Sequence, residues 1–352
     1  MSTARARAFR LLNNYSLVLV FFAIVIGFSI ANPDVFPTTL NAKTIARTNA
    51  VVALLALGAM LPLCVGKFDI SVGYQLGLAQ ALCAGLILKS HVPVVEVILI
   101  VLAAGAVIGL VNGVLIAIVG LDSFIVTLGV GILVLGINEA YTSNLQVIGA
   151  LPESFSKLGR SEVAGIPLPF VYVIVAMLVL WVLLEYTGWG RRVFATGGSE
   201  RAALLAGVNT RRVTIQIFIA TGLICAFAGI LSVTMLGGSS PAIGLSEILP
   251  AFAGAFLGAT SIRPGRYNAI GTVLAVYLLA AGITGLQQLG VAFYVQEFFN
   301  GGALLIAVAA SVLIARARRS RAGLSSRIDQ DRDAGDKGAE PAAPVAEPGL
   351  TS

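Results

Sequence analysis

One histidine and three cysteines are all that the 352 residues offer in the way of imidazole bases and thiols. Gly237-Gly238-Ser239-Ser240 could hold a serine nucleophile close to backbone, but its base would have to be His91, the lone histidine, at the edge of a different hairpin beside Pro93. An intramembrane hydrolase is therefore disfavoured. Cys64, Cys83 and Cys225 lie within or at the ends of apolar stretches without paired spacing, which reads as core packing and not as a disulfide or metal set. Asp329, Asp331, Asp333 and Glu340 fall at positions one, three, five and twelve of a calcium-loop pattern. Ala334 stands where that loop needs glycine, no helices flank it, and Pro341 follows, so the run reads as solvated charge. There is no G-x-x-x-x-G-K-[S/T] phosphate loop. The expectation is a chain with no catalytic residue, no metal and no cofactor of its own, and with no nucleic-acid partner.

What remains is the chemistry of contact. Residues 188–212, G-W-G-R-R-V-F-A-T-G-G-S-E-R-A-A-L-L-A-G-V-N-T-R-R, form a hydrophilic stretch between two apolar ones. Ser199 can cap the first free N–H groups of a helix, Glu200 places negative charge in its first turn, and Gly207 can end it in the left-handed conformation. The spacing predicts about two turns, too few to be stable alone, so the helix must lean on its own bundle or on a groove in a partner.

These residues have to be positioned by membrane helices. Apolar residues make up 57% of the chain, charged residues 11%, and the mean hydropathy is +0.93, which together exclude an ordinary soluble domain. The predicted fold is an all-α polytopic membrane bundle of ten spans at 15–31, 44–65, 70–88, 92–119, 122–142, 168–186, 212–236, 247–261, 267–288 and 295–315. Basic residues stay in the cytoplasm. With both termini inside, 18 of the 23 Lys and Arg are cytoplasmic; Lys43, Arg47, Lys89, Lys157 and Arg160 are outside. Treating 44–88 as one broken span would turn the five arginines of 191–212 outward, and the charge bias rejects it. Arg5, Arg7 and Arg10 before an apolar run ending in Ser29-Ile30-Ala31 resemble a signal peptide, yet Asn32-Pro33 and much more embedded chain favour a retained first span. The organisation is thus a cytoplasmic leader 1–14, a transmembrane domain 15–315 with its cytoplasmic loop 188–212, and a disordered tail 316–352. The basic start of that tail suits anionic lipid.

Within and beside the spans, Gly66-Lys67-Phe68-Asp69-Ile70-Ser71-Val72-Gly73 reads as a tight turn with Asp69 capping the next helix; an ionisable group there is also a candidate gate. Gly105, Gly109 and Gly113 share one helix face, and Gly254 and Gly258 another, which predicts close helix contacts. Polar residues inside spans, among them Gln75, Asn112, Asn138, Glu139, Gln288, Glu297 and Asn300, must find partners or water. Asn138, Glu139 and Tyr141 could bind a hydroxyl-rich solute or simply bond between helices. The outer stretch 145–167 could receive a soluble partner or merely connect two spans.

G-K-F-D-I-S-V-G at 66–73, D-S-F-I-V-T-L-G at 122–129, G-R-x-V-F-A-T-G-G-S-E-x-A-A-L-L-A-G-V-N at 190–209 and L-G-A-T-S-I-x-P-G-R-Y-N-A-I-G-T at 257–272, in this order, resemble the permease subunits of carbohydrate ABC importers of the ribose, xylose and galactose type. The resemblance covers roughly residues 35–315. It implies a bacterial inner-membrane homodimer of permease chains, a cytoplasmic ABC ATPase that holds the ATP and magnesium, and an extracytoplasmic solute-binding protein, in contact with membrane lipid. By resemblance Gly197, Gly198, Ser199, Glu200, Ala203 and Gly207 couple to the ATPase. Gly66, Asp69, Ser71 and Gly73 form a gate or pathway turn, and Gln75, Phe124, Asn138, Glu139 and Tyr141 are pathway candidates. Gly258, Thr260, Arg263, Gly265 and Arg266 belong to a second cytoplasmic motif beside the coupling loop, its two arginines facing the ATPase or lipid headgroups. The chain departs from the family's Gly-Gly at Gly66-Lys67 and Gly258-Ala259, and from its frequent proline at Ser123, which leaves the solute open.

Two other readings compete. A permease for branched-chain amino acids would need a helix N-terminus or a cation for the substrate carboxylate, and the spans hold almost no cations. An ion-driven secondary transporter would need embedded carboxylates, for which the sequence offers Glu139 and Glu297.

Overall fold

The structure, a computed structural model, describes residues 16–292, 294–306 and 308–309. The leader 1–14, the tail 316–352 with its acidic run, and the end of the tenth predicted span lie outside these residues. The described chain is mostly helical. Its elements are α1 (Ser16–Ala31), α2 (Thr39–Thr48), α3 (Ala50–Cys64), α4 (Ser71–Leu88), α5 (Val94–Val114, continued by a π turn Leu115–Val119), α6 (Ser123–Thr142), β1 (Val147–Ile148), α7 (Glu153–Arg160), β2 (Glu162–Val163), β3 (Ile166–Pro167), α8 (Leu168–Tyr186), α9 (Gly188–Gly198), α10 (Glu200–Leu205), α11 (Thr210–Leu236), β4 (Gly238–Ser239), α12 (Ile243–Ser246), α13 (Ile248–Gly258) and α14 (Ala269–Gln288). A further helical stretch occupies 295–306.

Six described helices are long and apolar enough to cross a membrane: α4, α5 with its π turn, α6, α8, α11 and α14. The second predicted span is divided at Asn49 into α2 and α3, which meet at 43° and together could make a seventh. The cause is legible in α2 itself, Thr39-Leu-Asn-Ala-Lys-Thr-Ile-Ala-Arg-Thr48, whose polar residues suit an interface better than hydrocarbon. The helices at the first and eighth predicted spans are shorter, α1 with 16 residues and α13 with 11.

A helix that is apolar on every side must be covered on every side, by lipid or by protein, and one helix here is covered by protein all round. That is the position of α3, all of whose 15 residues are buried. Its Pro62 has no N–H, so the carbonyl of Gly58 loses its ladder partner. The hydroxyl of Thr221 on α11 donates to that carbonyl at 3.2 Å. Left unmet, such a buried carbonyl costs about 1–3 kcal/mol.

The predicted glycine faces do bring helices together. A Cβ at Gly105, Gly109 or Gly113 of α5 would stand 2.4 Å from the Gly222 carbonyl oxygen, 2.2 Å from the Phe218 carbonyl oxygen and 2.8 Å from the Ile215 Cα, all on α11. On α13, a Cβ at Gly258 would stand 2.4 Å from the Thr272 amide nitrogen of α14.

After α11 the chain returns without a continuous helix. Gly238 and Ser239 of β4 pair with Ile148 and Val147 of β1, and the Ser240 N–H donates to Gln80 Oε1 at 3.0 Å. The chain then descends along α4, where Gly244 meets Gly73 so closely that a Cβ on Gly73 would be 2.3 Å from the Gly244 carbonyl oxygen. From there α13 runs to the opposite end of the bundle.

The stretch 145–167 folds back over its end of the bundle. Phe155 of α7 is buried, a Cβ at Gly159 would stand 2.3 Å from Thr234 Oγ1, and Glu162 pairs with Lys43 at 2.6 Å and Arg47 at 3.3 Å. It is a packed cap, more than a connection.

Candidate functional site: a docked turn and its polar root

At the end of the bundle opposite the cap, three connections converge. The turn after α3 leaves Cys64 with its carbonyl pointing at α9, and a Cβ at Gly197 would stand 2.0 Å from that oxygen, so only glycine fits. Lys67 of the same turn pairs with Glu200 of α10 at 3.2 Å. Both groups are partly exposed, so the pair sets register more than it adds stability, about 0–1 kcal/mol.

The predicted short helix is present as α10. Ser199 Oγ accepts from the Ala202 N–H at 3.3 Å, Glu200 sits in the first turn, and Gly207 adopts φ +81°. The Val208 N–H returns to the Ala203 carbonyl at 3.0 Å, closing the helix as a Schellman cap does. It is shorter than predicted, six residues, and it is preceded by an 11-residue helix, α9, where the sequence pattern predicts none. Thr187 caps α9 through the Gly190 N–H at 3.2 Å, a Ser/Thr signal that could have found it. Ala203 is buried against the bundle, whereas Leu204 and Leu205 are 59% and 90% exposed. Gly198 has open space beside it.

The second motif packs against α9, as expected, and both its arginines are paired within the chain, Arg263 while half exposed. Arg263 and Arg266 both pair with Glu185 at the end of α8, the latter at 3.4 Å, and the Arg266 guanidinium lies 3.5 Å from the ring centroid of Phe194 on α9. Glu185, which no sequence pattern singles out, is only 8% exposed at its side chain and draws both cations to itself. Around it, Gly265 takes φ +80° and Thr260 bonds its own turn through the Leu257 carbonyl. Asn268 donates to the carbonyls of Gly258, Ser261 and Arg266 at 3.2 Å each and accepts from the Gly271 N–H at 2.7 Å. One side chain thus holds the whole connection 258–271.

Behind the turn lies a buried polar chain. Asp69 is fully buried; it accepts from the Ser71 N–H at 3.0 Å and from the Ser71 hydroxyl. Gly66 makes the reversal at φ +71°. Ser71 Oγ in turn accepts from Gln75 Nε2 at 2.8 Å and Asn112 Nδ2 at 2.9 Å. Burial pushes the Asp69 carboxyl up to about 6, against the lowering effect of the two Ser71 hydrogen bonds. The capping role read from the sequence holds in modified form, since Asp69 serves the first N–H of α4 from one position before the N-cap, Ile70.

The five pathway candidates do not form one set. Gln75, Asn138 and Tyr141 turn toward or lie on α4: Asn138 is buried beside Gly77, and the Tyr141 ring lies over Gly85. Phe124, in the first turn of α6, and Glu139, near its other end, are exposed. Adjacent helical residues such as Asn138 and Glu139 point about 100° apart, so nearness in sequence does not put them on one wall. Glu297 is exposed as well. A carboxylate that lines a small, partly open cavity is Glu247, at the head of α13.

Comparison with known proteins follows this geometry. Residues 41–309 match the family described as the permease component of branched-chain amino acid transport systems. The ribose import permease protein RbsC of Bacillus subtilis is 37% identical over 288 residues, 82% of this chain and 89% of that protein. RbsC of Escherichia coli K12 is 32% identical over 294 residues, 83% and 90%. The galactose/methyl galactoside import permease protein MglC of the same strain is 33% identical over 315 residues, 84% and 92%. No solved structure matches.

Proposed function

The chain belongs to this family of import permeases, and from that premise we propose that it is the membrane subunit of a binding-protein-dependent ABC importer for a monosaccharide or related polyol. It sits in the bacterial inner membrane. ATP and magnesium act on a separate ATPase subunit, a solute-binding protein delivers the solute from outside, and the bundle reorients by alternating access. The chain itself carries out no chemical step.

The observation that carries this reading is the docked turn. A short helix that buries Ala203, exposes Leu204 and Leu205, and is tied by Glu200 and Gly197 to the turn after α3 can pass a push from a partner's groove into the bundle. The end that bears it also gathers Lys67, Arg191, Arg192, Arg201, Arg211, Arg212, Arg263 and Arg266, and we assign it to the cytoplasm. Counting α2 with α3 as one pass, the chain 237–258 as another and the stretch from 295 as the last gives ten passes and places both termini inside. The leader 1–14 and the tail 316–352 are then cytoplasmic flanks of the membrane domain 15–315. A second copy of the chain and lipid cover the apolar flanks.

Replacing Glu200 with Arg, or Leu205 with Asp, is expected to leave the protein in the membrane while abolishing ATPase association and solute uptake. Normal uptake by both variants would overturn the coupling assignment. The family's description supports a second reading, a branched-chain amino acid as cargo. The sugar-importing relatives, and the location of the described Lys and Arg at the bundle's ends, weigh against it. Competition of labelled ribose or galactose uptake by excess leucine decides between the two.

A further inference from the structure

Beside α14 the bundle leaves an elongated apolar slot of about 650 Å³. Two of its walls, α8 and α14, are membrane-crossing helices. α1 and α8 each pack along α14, but they are not packed together, and the slot lies between them under α2. On α14 the wall is one stripe from Ile270 through Tyr277 to Ala281, about 16 Å long at 1.5 Å per residue. On α1 it is Phe21, Val25 and Ser29, one residue from each successive turn. The far side of α1 carries Phe22, Ile26 and Ile30, all exposed. That face suits hydrocarbon, so the helix that walls the slot is itself bordered by lipid.

The hydrogen bonds already made decide what the slot can hold. Among the described residues no charged side chain lines it, and only four polar ones do. The Ser29 hydroxyl donates to the Val25 carbonyl at 2.7 Å, the Thr38 hydroxyl to the Val35 carbonyl at 2.7 Å and the Tyr277 hydroxyl to the Ala46 carbonyl at 3.1 Å. Asn41 Nδ2 donates to the Phe36 carbonyl at 2.8 Å, and its Oδ1 accepts from Gln288 Nε2 at 2.7 Å. Every hydroxyl proton in the wall is thus spent on the chain's own backbone, which leaves a sugar or a file of waters poorly met. Yet the slot is several times the ~150 Å³ of an apolar cavity that stays dry, and the cost of an empty cavity rises with its volume. It needs an apolar filling.

We propose that the slot holds one acyl chain of a membrane phospholipid. Its length matches the ~15 Å half-thickness of the hydrocarbon core, which the chains of one leaflet fill. The polar helix α2, at one end, suits the interface where the headgroup stays, while the acyl chain lies between α1, α8 and α14. The lipid supplies the packing that joins α1 to α8. It is independent of which solute the protein carries.

The test is native mass spectrometry of the purified full-length chain after detergent exchange, with thermal unfolding of the delipidated chain on titration with phosphatidylethanolamine. The expected result is one phospholipid retained per chain and a saturable rise in Tm. In Ala46→Trp, whose ring fills the slot, retained lipid falls about tenfold and the lipid-dependent rise disappears. The Tm of that variant without lipid exceeds that of the delipidated unaltered chain, which a merely damaged protein would not show. Ala23→Trp, exposed on α1 outside the slot, changes none of these. The same lipid with a photoactivatable acyl chain labels the peptides that carry Met177 and Tyr277. Equal retention by Ala46→Trp and the unaltered chain, or label confined to the exposed face of α1, overturns the proposal. Crosslinking of Ala42→Cys to a second copy, with no lipid retained, would put a neighbouring chain in the slot and overturn it equally. Should Ala46→Trp fail to fold, Ala42→Phe and the labelling of the unaltered chain decide the matter.

Discussion

The seam between α5 and α11 and the return of the chain along α4 use the same residue in opposite ways. At the seam, glycines every fourth residue of α5 put two uninterrupted helices in backbone contact over Gly105, Gly109 and Gly113. Along α4, Gly244 and Gly73 also touch backbone to backbone, but the returning chain is in pieces: a two-residue strand, a four-residue helix and an 11-residue helix. Equal closeness does not mean equal rigidity. Two long helices can yield only by moving as whole bodies, whereas a broken crossing can shift one piece at a time.

Single substitutions can break that contrast or sharpen it. The largest effect is expected from Gly109→Ala, whose new Cβ has only the Phe218 carbonyl and its backbone to meet at 2.2 Å; overpacking there should cost about 3 kcal/mol, read as a lower Tm and loss of monodisperse protein. Gly244→Ala meets the Gly73 carbonyl at the same 2.2 Å, yet the pieces around it can give, and a loss of about 2 kcal/mol is expected. If the two variants fall equally, the distinction in rigidity is wrong.

Thr221→Val removes the donor that serves the Gly58 carbonyl and should cost about 1 kcal/mol, with the loss much reduced in a Pro62→Ala background, where residue 62 regains its N–H. A full loss in that background would assign the effect to packing. Smallest is Gly129→Ala on the open face of α6, where a Cβ meets nothing within 4 Å; helix propensity predicts a gain of at most about 1 kcal/mol. A loss at Gly129 in the assembled transporter, absent from the isolated chain, would reveal a partner on that face.

The seam was readable from the amino-acid sequence because its signal is periodic: glycines four apart in an apolar run point at a helix partner wherever it lies. The helix at Ser199–Gly207 was readable because capping is local. The broken crossing was not, since its interruption at Glu247 is set by where α4 and α3 stand, and a window of apolar residues looks the same straight or bent. Glu185 escaped for a related reason. Its two arginine partners lie some 80 residues away in sequence, and nothing near it announces them. Glu139 was grouped with Asn138 by proximity in sequence, and the helix turns it about 100° away from the buried face.

The bond from Thr221 to Gly58 has a mechanical meaning beyond its free energy. Because Pro62 leaves a gap in the ladder of α3, Thr221 of α11 answers the Gly58 carbonyl in place of the missing bond, and the last turn is joined to the helix above it by one hydrogen bond fewer. On the proposed coupling, a displacement delivered at Glu200 or Gly197 would meet α3 next to the turn where its own ladder is one bond short. The buried column of α3 and the last turn that leads to the docked corner are one helix, with a single N–H missing between them.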